Sequence, residues 1–399
     1  MYFPHARVSV HYRGLRLVLL AAVAITATAQ LYPTPGPCHG QCINLQDMSF
    51  IRDTSGTYYR FAGHHGIEIA TAPHLSGPWT NSNIPAFPNW ADDLVHLKPQ
   101  IQDLWAPDVH MINGTYYMFF TVENFGTAMY GYGDAASARY GDTAVATSSS
   151  LDGGTWHTHG LLDIPYQGSK YTRFDTSLLM DGDSLYLSFG SYSSGIFGMQ
   201  MQSPPLQVLG QITTMLVADD FVPGSLHNRT EGSFLYENNG FYYIFYASGN
   251  CCTGIPVTEG EEYKIEYCRS QSVSGPYHSR NGTSCLNGEG GTLLLPTHGE
   301  YVYAPGSPSV LQDPVYGTVL IYQYMNPRIG LGQRHLIMGW NPLVFEDDWP
   351  TLKEVPPSPS SAASSGFQIS FRKGSFFRPF IKMFGLCLAT TSITSRQTW

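Results

Sequence analysis

The chain has 399 residues, of which 13% are charged and 14% are Phe, Trp or Tyr, and it contains 41 Gly and 27 Pro. Few charges, many aromatic residues and many turn formers argue against a helical bundle and favour tightly turned sheets. The net charge is −9, and no basic stripe runs among the aromatic residues, so nucleic acid is not expected as a partner. A neutral polymer such as a carbohydrate fits this composition better.

The first 29 residues have the pattern of a secretory signal peptide. Arg7, Arg13 and Arg16 precede an apolar run at 17–25, and small residues at 26–29 offer a cleavage site. The apolar run is too short for a spanning helix, although a membrane anchor or a buried strand remains open. Sequons that agree with secretion lie at Asn113, Asn228 and Asn281. We expect a secreted, glycosylated protein that is free of the membrane once 1–29 is removed.

After a lead-in at 30–43, five similar runs of aromatic and aliphatic residues follow. They are Gly56-Thr-Tyr-Tyr-Arg-Phe61, Gly114-Thr-Tyr-Tyr-Met-Phe-Phe120, Asp183-Ser-Leu-Tyr-Leu-Ser-Phe189, Gly240-Phe-Tyr-Tyr-Ile-Phe245 and Gly317-Thr-Val-Leu-Ile-Tyr322. A repeat of roughly 55–75 residues with one hairpin each predicts an all-β fold of small sheets repeated around an axis. The predicted blocks fall near 44–98, 99–165, 166–225, 226–296 and 297–352.

Four of the five runs have an acidic residue shortly upstream, namely Asp47, Asp108, Asp175 and Glu231. The matching stretch before the fifth run, 305–309, has none. Asp47, Asp175 and Glu231 each precede an apolar strand pattern, where a carboxyl group is costly to bury for structure alone. We interpret these three residues as entering their strands at equivalent positions.

Three carboxyl groups on different blades suit the hydrolysis of a glycosidic bond. One carboxylic acid must protonate the leaving oxygen while a carboxylate acts on the other face of the sugar. A third negative charge can help the acid to keep its proton. Any one of these residues alone would more often be a turn or strand-cap residue, but three in register favour a function.

The chain contains seven cysteines, and in an oxidising compartment Cys38 with Cys42 and Cys268 with Cys285 are plausible pairs. Spacing alone leaves the connectivity open, and no cysteine or histidine spacing indicates zinc. Residues 355–399 begin as a Pro/Ser-rich linker and continue as an aromatic, basic tail without a strand pattern. That tail is interpreted as unstructured, and a surface-binding segment or a misread end of the coding sequence are both open.

Over roughly 44–352 the chain resembles family 43 glycoside hydrolases, which are five-bladed β-propellers. The motifs that carry the resemblance are Gln46-Asp47-Met-Ser-Phe, Leu104-Trp-Ala-Pro-Asp108, Phe174-Asp175-Thr-Ser-Leu, Glu231-Gly-Ser-Phe and the closing segment from Arg334-His-Leu to Asp348-Trp-Pro350. The third and fourth motifs are most similar to those of arabinanases. The resemblance therefore implies a propeller over 44–354 that cleaves α-1,5-linked arabinan with inversion of configuration.

By the same resemblance, Asp47 is the general base, Glu231 the general acid, and Asp175 orients the acid and raises its pKa. Inversion implies about 6.5–9.5 Å between the base and acid carboxyls, which leaves room for a water. A β-xylosidase or α-L-arabinofuranosidase would keep this site and change the sugar. A propeller that binds glycans without cleaving them is the alternative outside enzymes.

Other residues receive lesser roles. Trp105 is either a stacking platform for a sugar or core packing between blades. Phe125 and Tyr192 are weaker substrate-binding candidates, and Asp108 is expected to be a structural hydrogen-bonding residue beneath the site. The adjacent His64 and His65 lack metal spacing and are interpreted as surface or loop residues.

The fifth-blade motif departs from the arabinanase pattern, in which a His near a Pro-Gly pair holds a central cation. This chain has Ser307 at that place, and a hydroxyl is a poor substitute for an imidazole. We therefore expect no required cofactor and no metal ligands, with a central calcium or sodium ion in doubt. The expected partner is plant cell-wall polysaccharide, and the expected state is a monomer.

Overall fold

A computed structural model describes residues 32–98, 101–123, 141–165, 171–191, 195–217, 230–288 and 290–356. Within these ranges the chain forms five four-stranded antiparallel sheets, arranged as a five-bladed β-propeller. The predicted fold class is thereby confirmed. The predicted signal peptide, the tail beyond 356, the sequon at Asn228, and the site candidates Phe125 and Tyr192 lie outside the described residues.

Each blade is built from four strands that are consecutive in sequence. In chain order the strands are β1 Ser49–Arg52, β2 Tyr58–Ala62, β3 Glu68–Ala72, β4 Thr80–Asn81, β5 Asp103–Ile112, β6 Thr115–Glu123, β7 Gly141–Ser148, β8 His157–Leu161, β9 Ser177–Asp181, β10 Ser184–Phe189, β11 Gly195–Met201, β12 Val208–Val217, β13 Thr230–Asn238, β14 Phe241–Ser248, β15 Lys264–Ser270, β16 Thr292–Leu295, β17 Tyr303–Asp313, β18 Gly317–Met325, β19 Leu336–Glu346 and β20 Trp349–Leu352. The helical content described is one α-helical turn at Trp90–Asp93 and short 3-10 turns at Cys285–Asn287 and Gln333–His335. None of these helices is long and apolar enough to cross a membrane.

The repeated aromatic runs form the second strand of every blade. This strand is covered on both faces, because neighbouring blades stack against it. Phe61 of blade 1 and Phe120 of blade 2 belong to one apolar cluster, for example, and both are fully buried. Similar clusters fill the remaining interfaces, including the one between the fifth blade and the first. Burial on two faces explains why these strands are continuously apolar rather than alternating.

The predicted hairpin turns are present. Asn113 and Gly114 connect β5 to β6 with φ of 50° and 81°, and Asn239 and Gly240 connect β13 to β14 with φ of 54° and 77°. Asn-Gly is favoured in such turns because both central residues need a positive φ. Asn113 is exposed at its turn, so its sequon is sterically open to a glycan.

The lead-in lies between the first and last blades. The Gly36 N–H donates to the Trp340 carbonyl at 2.7 Å, and Ile43 forms an isolated bridge with Ile337. A Cβ on Gly36 would come within 2.4 Å of the Trp340 indole, so this close approach requires glycine. The lead-in therefore helps to close the ring of blades.

Disulfides join the two predicted pairs, Cys38 with Cys42 and Cys268 with Cys285. A third disulfide joins the adjacent Cys251 and Cys252 in the loop between β14 and β15. All six cysteines within the described residues are thus paired. The Cys38–Cys42 bridge lies in the lead-in, and the Cys268–Cys285 bridge ties β15 to the segment that precedes β16.

Candidate active site

In every blade a residue in the left-handed region lies within the first strand or two positions before it. The φ values are 50° at Asp47, 44° at Ala106, 53° at Asp175, 58° at Gly232 and 49° at Ser307. Strand pairing shows a bulge or irregularity across these residues in blades 2, 4 and 5. Bulges re-aim side chains at the ends of strands. The five residues therefore line one central cavity together with the two residues that follow each of them.

Asp47 and Asp175 line this cavity and Glu231 directly precedes the lining residue Gly232, so the register of the three carboxyl residues differs from the prediction. Asp47 and Asp175 are themselves the left-handed residues of their blades, whereas Glu231 precedes the left-handed Gly232 by one position. The prediction of three equivalent positions is therefore wrong for Glu231. The same register places Asp108 two positions after Ala106, deeper along its strand.

Asp47 is half-buried at the junction of the first and last blades. Its N–H donates to Gln323 Oε1 at 2.8 Å, and the Ser307 hydroxyl donates a short hydrogen bond to its Oδ1. Burial raises the pKa of Asp47, while the Ser307 hydrogen bond and the positive charge of His64 oppose this shift. A carboxylate at this position thus depends on its neighbours for stabilisation.

Asp175 bridges blades 3 and 4. Its Oδ2 accepts the N–H of Gly232 at 3.1 Å, one residue from Glu231. Burial, and next the negative charges of Glu231 and Asp47, raise the pKa of Asp175 well above its usual range. Asp175 and Glu231 are therefore coupled, and the pair holds a proton more tightly than two isolated carboxyls would.

Each carboxyl oxygen of Glu231 accepts a hydrogen bond from a hydroxyl group. The Ser191 hydroxyl donates to Oε2 at 2.7 Å, and the Tyr263 hydroxyl donates to Oε1 at 2.9 Å. Ser191 belongs to blade 3, while Tyr263 immediately precedes the strand β15 of blade 4. These two contacts fix the plane of the carboxyl group, which is what an oriented proton donor needs.

Trp105 and Asp108 both lie in β5 but at different depths. Trp105 holds the blade-2 position equivalent to Glu231 and is half-buried, with its ring 6.1 Å from that of His64. Asp108 is 6% exposed and accepts the Leu178 N–H at 2.7 Å, while it also pairs with His110 at 2.7 Å. This environment suits the structural role expected for Asp108.

His64 is a site residue that the sequence reasoning missed. The predicted loop position is correct, since His64 lies between β2 and β3, but its side chain is part-buried and contacts Asp103 and Gln46. Gln46 directly precedes Asp47, so His64 lies beside the candidate base. The sequence offered one indication of this role. His64 follows the second strand of blade 1 by two residues, at the end of that strand that lies next to Asp47.

Ser307 lies at the blade-5 position where the resemblance led us to look for a metal-holding histidine. Its hydroxyl is engaged with Asp47. Within the described ranges, no group of three or more His, Cys, Asp or Glu side chains is placed to hold a metal ion. These side chains do not fit a directly ligated ion.

Comparison with known proteins places this geometry in context. Residues 43–350 match the family model described as glycosyl hydrolases family 43. The chain is 37% identical over 344 residues to arabinan endo-1,5-alpha-L-arabinosidase A of Aspergillus aculeatus, covering 84% of this chain and 99% of the relative. It is 36% identical over 344 residues to a probable enzyme of the same name from Aspergillus flavus, covering 85% and 98%. The endo-arabinanase of Bacillus licheniformis superposes with a TM-score of 0.65 at 24% identity, covering 79% of this chain and 99% of that one. This structural similarity supports the fold.

Proposed function

Because this chain belongs to glycosyl hydrolase family 43 and is a glycosidase, we propose that it hydrolyses α-1,5-linked arabinan with inversion of configuration. The observation that carries the proposal is the proximity of three carboxyl residues from different blades: Asp47 and Asp175 line one cavity, and the negative charges of Glu231 and Asp47 both act on Asp175. The arabinan substrate is inferred from the names of two relatives, which are 37% and 36% identical to this chain over 344 residues.

In the proposed reaction, water attacks the anomeric carbon from the side of Asp47, whose carboxylate accepts a proton from that water. Glu231 gives its proton to the glycosidic oxygen, so the bond between that oxygen and the anomeric carbon breaks without a free alkoxide. The new hemiacetal carries the opposite anomeric configuration, as expected for a single displacement. Asp47 ends protonated and Glu231 ionised, and exchange with solvent restores both groups.

Asp175 is proposed to act through Glu231 rather than on the sugar. It contacts the backbone N–H next to Glu231 and repels the Glu231 negative charge. Repulsion between two carboxylates favours the state in which one of them keeps a proton. Asp175 thereby helps the pair to enter the reaction with the proton that the leaving group requires.

The test is product analysis on debranched arabinan, beside aryl-xyloside and aryl-arabinofuranoside substrates. Release of arabino-oligosaccharides, with the anomeric proton of the first product inverted in early NMR spectra, would support the proposal. Preferred cleavage of an aryl glycoside would favour the xylosidase or arabinofuranosidase alternative. Binding of arabinan without any product would favour a non-catalytic glycan-binding propeller, and a retained anomeric configuration would contradict the single displacement.

Action outside the cell is part of the same proposal. The basic and apolar pattern at 1–29 supports it, and the three disulfides suit an oxidising compartment. Expression of the full chain in a secreting host should give protein in the medium whose N-terminus is Gln30. Retention of the whole chain in the membrane fraction would contradict this part.

A further inference from the structure

The side chain of His64 is held between the first and second blades. Its Nδ1 lies 2.5 Å from Asp103 Oδ2, and its Nε2 lies 2.8 Å from Gln46 Oε1. Asp103 is fixed in turn, since its Oδ1 accepts the N–H of Leu104 at 2.9 Å. The His64 backbone is held in place as well. Its φ is 76°, and its N–H donates a hydrogen bond to the Leu104 carbonyl at 2.8 Å.

Both ring nitrogens of His64 face hydrogen-bond acceptors. A carboxylate can only accept, so Nδ1 must carry a proton. An amide oxygen can only accept, so Nε2 must carry one as well. This orientation of Gln46 agrees with the lowering of the Asp47 pKa by the Gln46 side chain, because only the amide nitrogen can donate to a carboxyl. A ring that donates from both nitrogens is an imidazolium.

We propose that His64 is a positively charged positioning residue that, with Asp103 and Gln46, keeps Asp47 ionised as the general base. This inference deepens the proposed function and rests on it for the role of Asp47. His64 does not touch the reacting atoms; it acts on Asp47 through its charge and through the Gln46 amide. Its geometry is independent of the substrate, so its charge can be measured without any reaction.

The charged groups around His64 agree with this assignment. Asp103, Asp47 and Glu68 all face the ring, and together with the Asp103 hydrogen bond they raise the pKa of His64 despite its burial. Arg334 and His65 line the same cavity as His64. The negative charge of Asp47 raises the pKa of Asp175, and the repulsion between two carboxylates is mutual. The positive charge of His64, like the Ser307 hydrogen bond, acts against the burial of Asp47, which on balance still raises the pKa of that carboxyl.

The kinetic test compares His64→Gln with His65→Gln. A general base must be ionised, so its titration sets the acid limb of kcat/KM. Removing a nearby positive charge should move that limb to higher pH by about one unit, with the maximal rate changed less than the rate on the acid side. His65→Gln is the matched control, because the hydrogen bond that His65 makes to Asp103 uses its main-chain N–H. An unmoved acid limb in a folded His64→Gln enzyme would overturn the proposal.

A second variant acts on the partner of His64 rather than on His64 itself. Asp103→Asn keeps the shape of the side chain but removes the carboxylate that holds the Nδ1 proton. If Asp103 acted directly on Asp47, the loss of its negative charge would move the acid limb of the pH–rate profile to lower pH. If Asp103 acts through His64, the imidazolium is lost and the acid limb moves to higher pH. A shift to lower pH would contradict the proposal.

A spectroscopic measurement separates this inference from the proposed function. In histidine-labelled protein, the 15N shifts assigned by comparison with His64→Gln should show a doubly protonated ring near neutral pH, and a neutral ring in Asp103→Asn. If the wild type cleaves no arabinan, the 13C titration of the Asp47 carboxyl in wild type and His64→Gln replaces the kinetic test. An Asp47 titration that is the same in both proteins, or a neutral His64 in the wild type, would overturn the inference.

Discussion

Glu231 has both carboxyl oxygens bound by hydroxyl groups, so its amide analogue can occupy the same place. Glu231→Gln keeps the size of the side chain but cannot donate a proton of sufficient acidity. We expect turnover of arabinan to fall by about 10²–10⁴-fold, with the thermal midpoint nearly unchanged. Initial rates on polymer and on aryl substrates measure this, and the loss should be smaller for the better leaving groups. Activity within a few-fold of wild type on the polymer would contradict the assignment.

Asp175 offers a prediction about pH. Its pKa is raised well above the usual range, by burial and by the negative charges of Glu231 and Asp47, and the repulsion between two carboxyls is mutual. Replacing Asp175 with neutral Asn removes that repulsion, so Glu231 should release its proton at lower pH. The alkaline limb of the pH–rate profile should therefore move to lower pH. An alkaline limb that stays in place while turnover falls would indicate a steric role for Asp175.

Tyr263→Phe is the control for this shift, because it alters the same carboxyl without removing a charge. The Tyr263 hydroxyl donates to Glu231, and a donor favours the ionised form of its acceptor. Loss of the donor should move the alkaline limb to higher pH, opposite to Asp175→Asn. Shifts of the same sign in both variants would show that the limb reports something other than the proton on Glu231.

At the scale of single residues, the sequence indicated which carboxyl groups meet but could not supply their neighbours. Asp47, Asp175 and Glu231 could be found because each precedes a repeated strand. The partner of His64 is Asp103, 39 positions away on another blade, and no local pattern joins the two. The contact of Ser191 with Glu231 likewise exists only once blades 3 and 4 stack, and Tyr263 reaches Glu231 from 32 positions away within blade 4.

At the scale of the strand, a recurring hydrogen bond links each of three blades to the next. The residue two positions after the left-handed residue accepts a backbone N–H from the following blade. Ser49 accepts from Val109 at 3.0 Å, Asp108 from Leu178 at 2.7 Å, and Ser177 from Leu235 at 3.4 Å. In blade 4 this position is Phe234, whose side chain cannot accept such a bond. These contacts hold the ends of the inner strands, and hence the site carboxyls, at fixed separations.

Ser49→Ala tests this link between the first two blades. Ser49 is 5% exposed, so its loss leaves the Val109 N–H buried without its acceptor. An unsatisfied buried donor costs about 1–3 kcal/mol of unfolding free energy, which denaturant titration can measure. Ser203→Ala is the matched control, because Ser203 is exposed in the loop after β11 and takes no part in the links between blades. Equal stability of the two variants would show that the Ser49 bond contributes little.

The register of Glu231 shows why element ends are harder to predict than elements. The apolar run after Glu231 has the same character as those after Asp47 and Asp175, so the three acids looked equivalent. The difference lies in which residue takes the positive φ, and at Gly232 glycine adopts φ of 58° without a steric penalty. A one-residue offset at a bulge changes no hydrophobic pattern downstream, and the sequence therefore carries little sign of it.

At the scale of the whole molecule, the five blades were predictable because each repeat contains its own four strands. The closure of the ring was not, because the lead-in is a Pro-rich segment without a strand pattern. Its contacts run to residues about three hundred positions away, including the Asn341 amide that donates to the Thr34 carbonyl at 2.7 Å. Such a contact depends on the ring having already brought the first and last blades together.

The ring also determines what lies at its centre, and there the prediction concerns a metal ion. The Ser307 hydroxyl donates to Asp47, and within the part of the chain that the structure describes no cluster of His, Cys, Asp or Glu can hold an ion. We therefore expect enzyme treated with a chelator and then dialysed to keep its rate on arabinan, and added calcium to leave that rate unchanged.

Thermal unfolding gives a second measurement that does not depend on activity. An ion that binds only the folded protein stabilises it by RT ln(1 + [L]/Kd), about 2.7 kcal/mol at a hundredfold excess over Kd. The unfolding midpoint should then be the same with chelator and with millimolar calcium or sodium. A lower midpoint and a lower rate after chelation, both restored by calcium, would contradict the prediction. That result would mean that backbone carbonyls or ordered waters around the five left-handed residues hold an ion that the side chains do not.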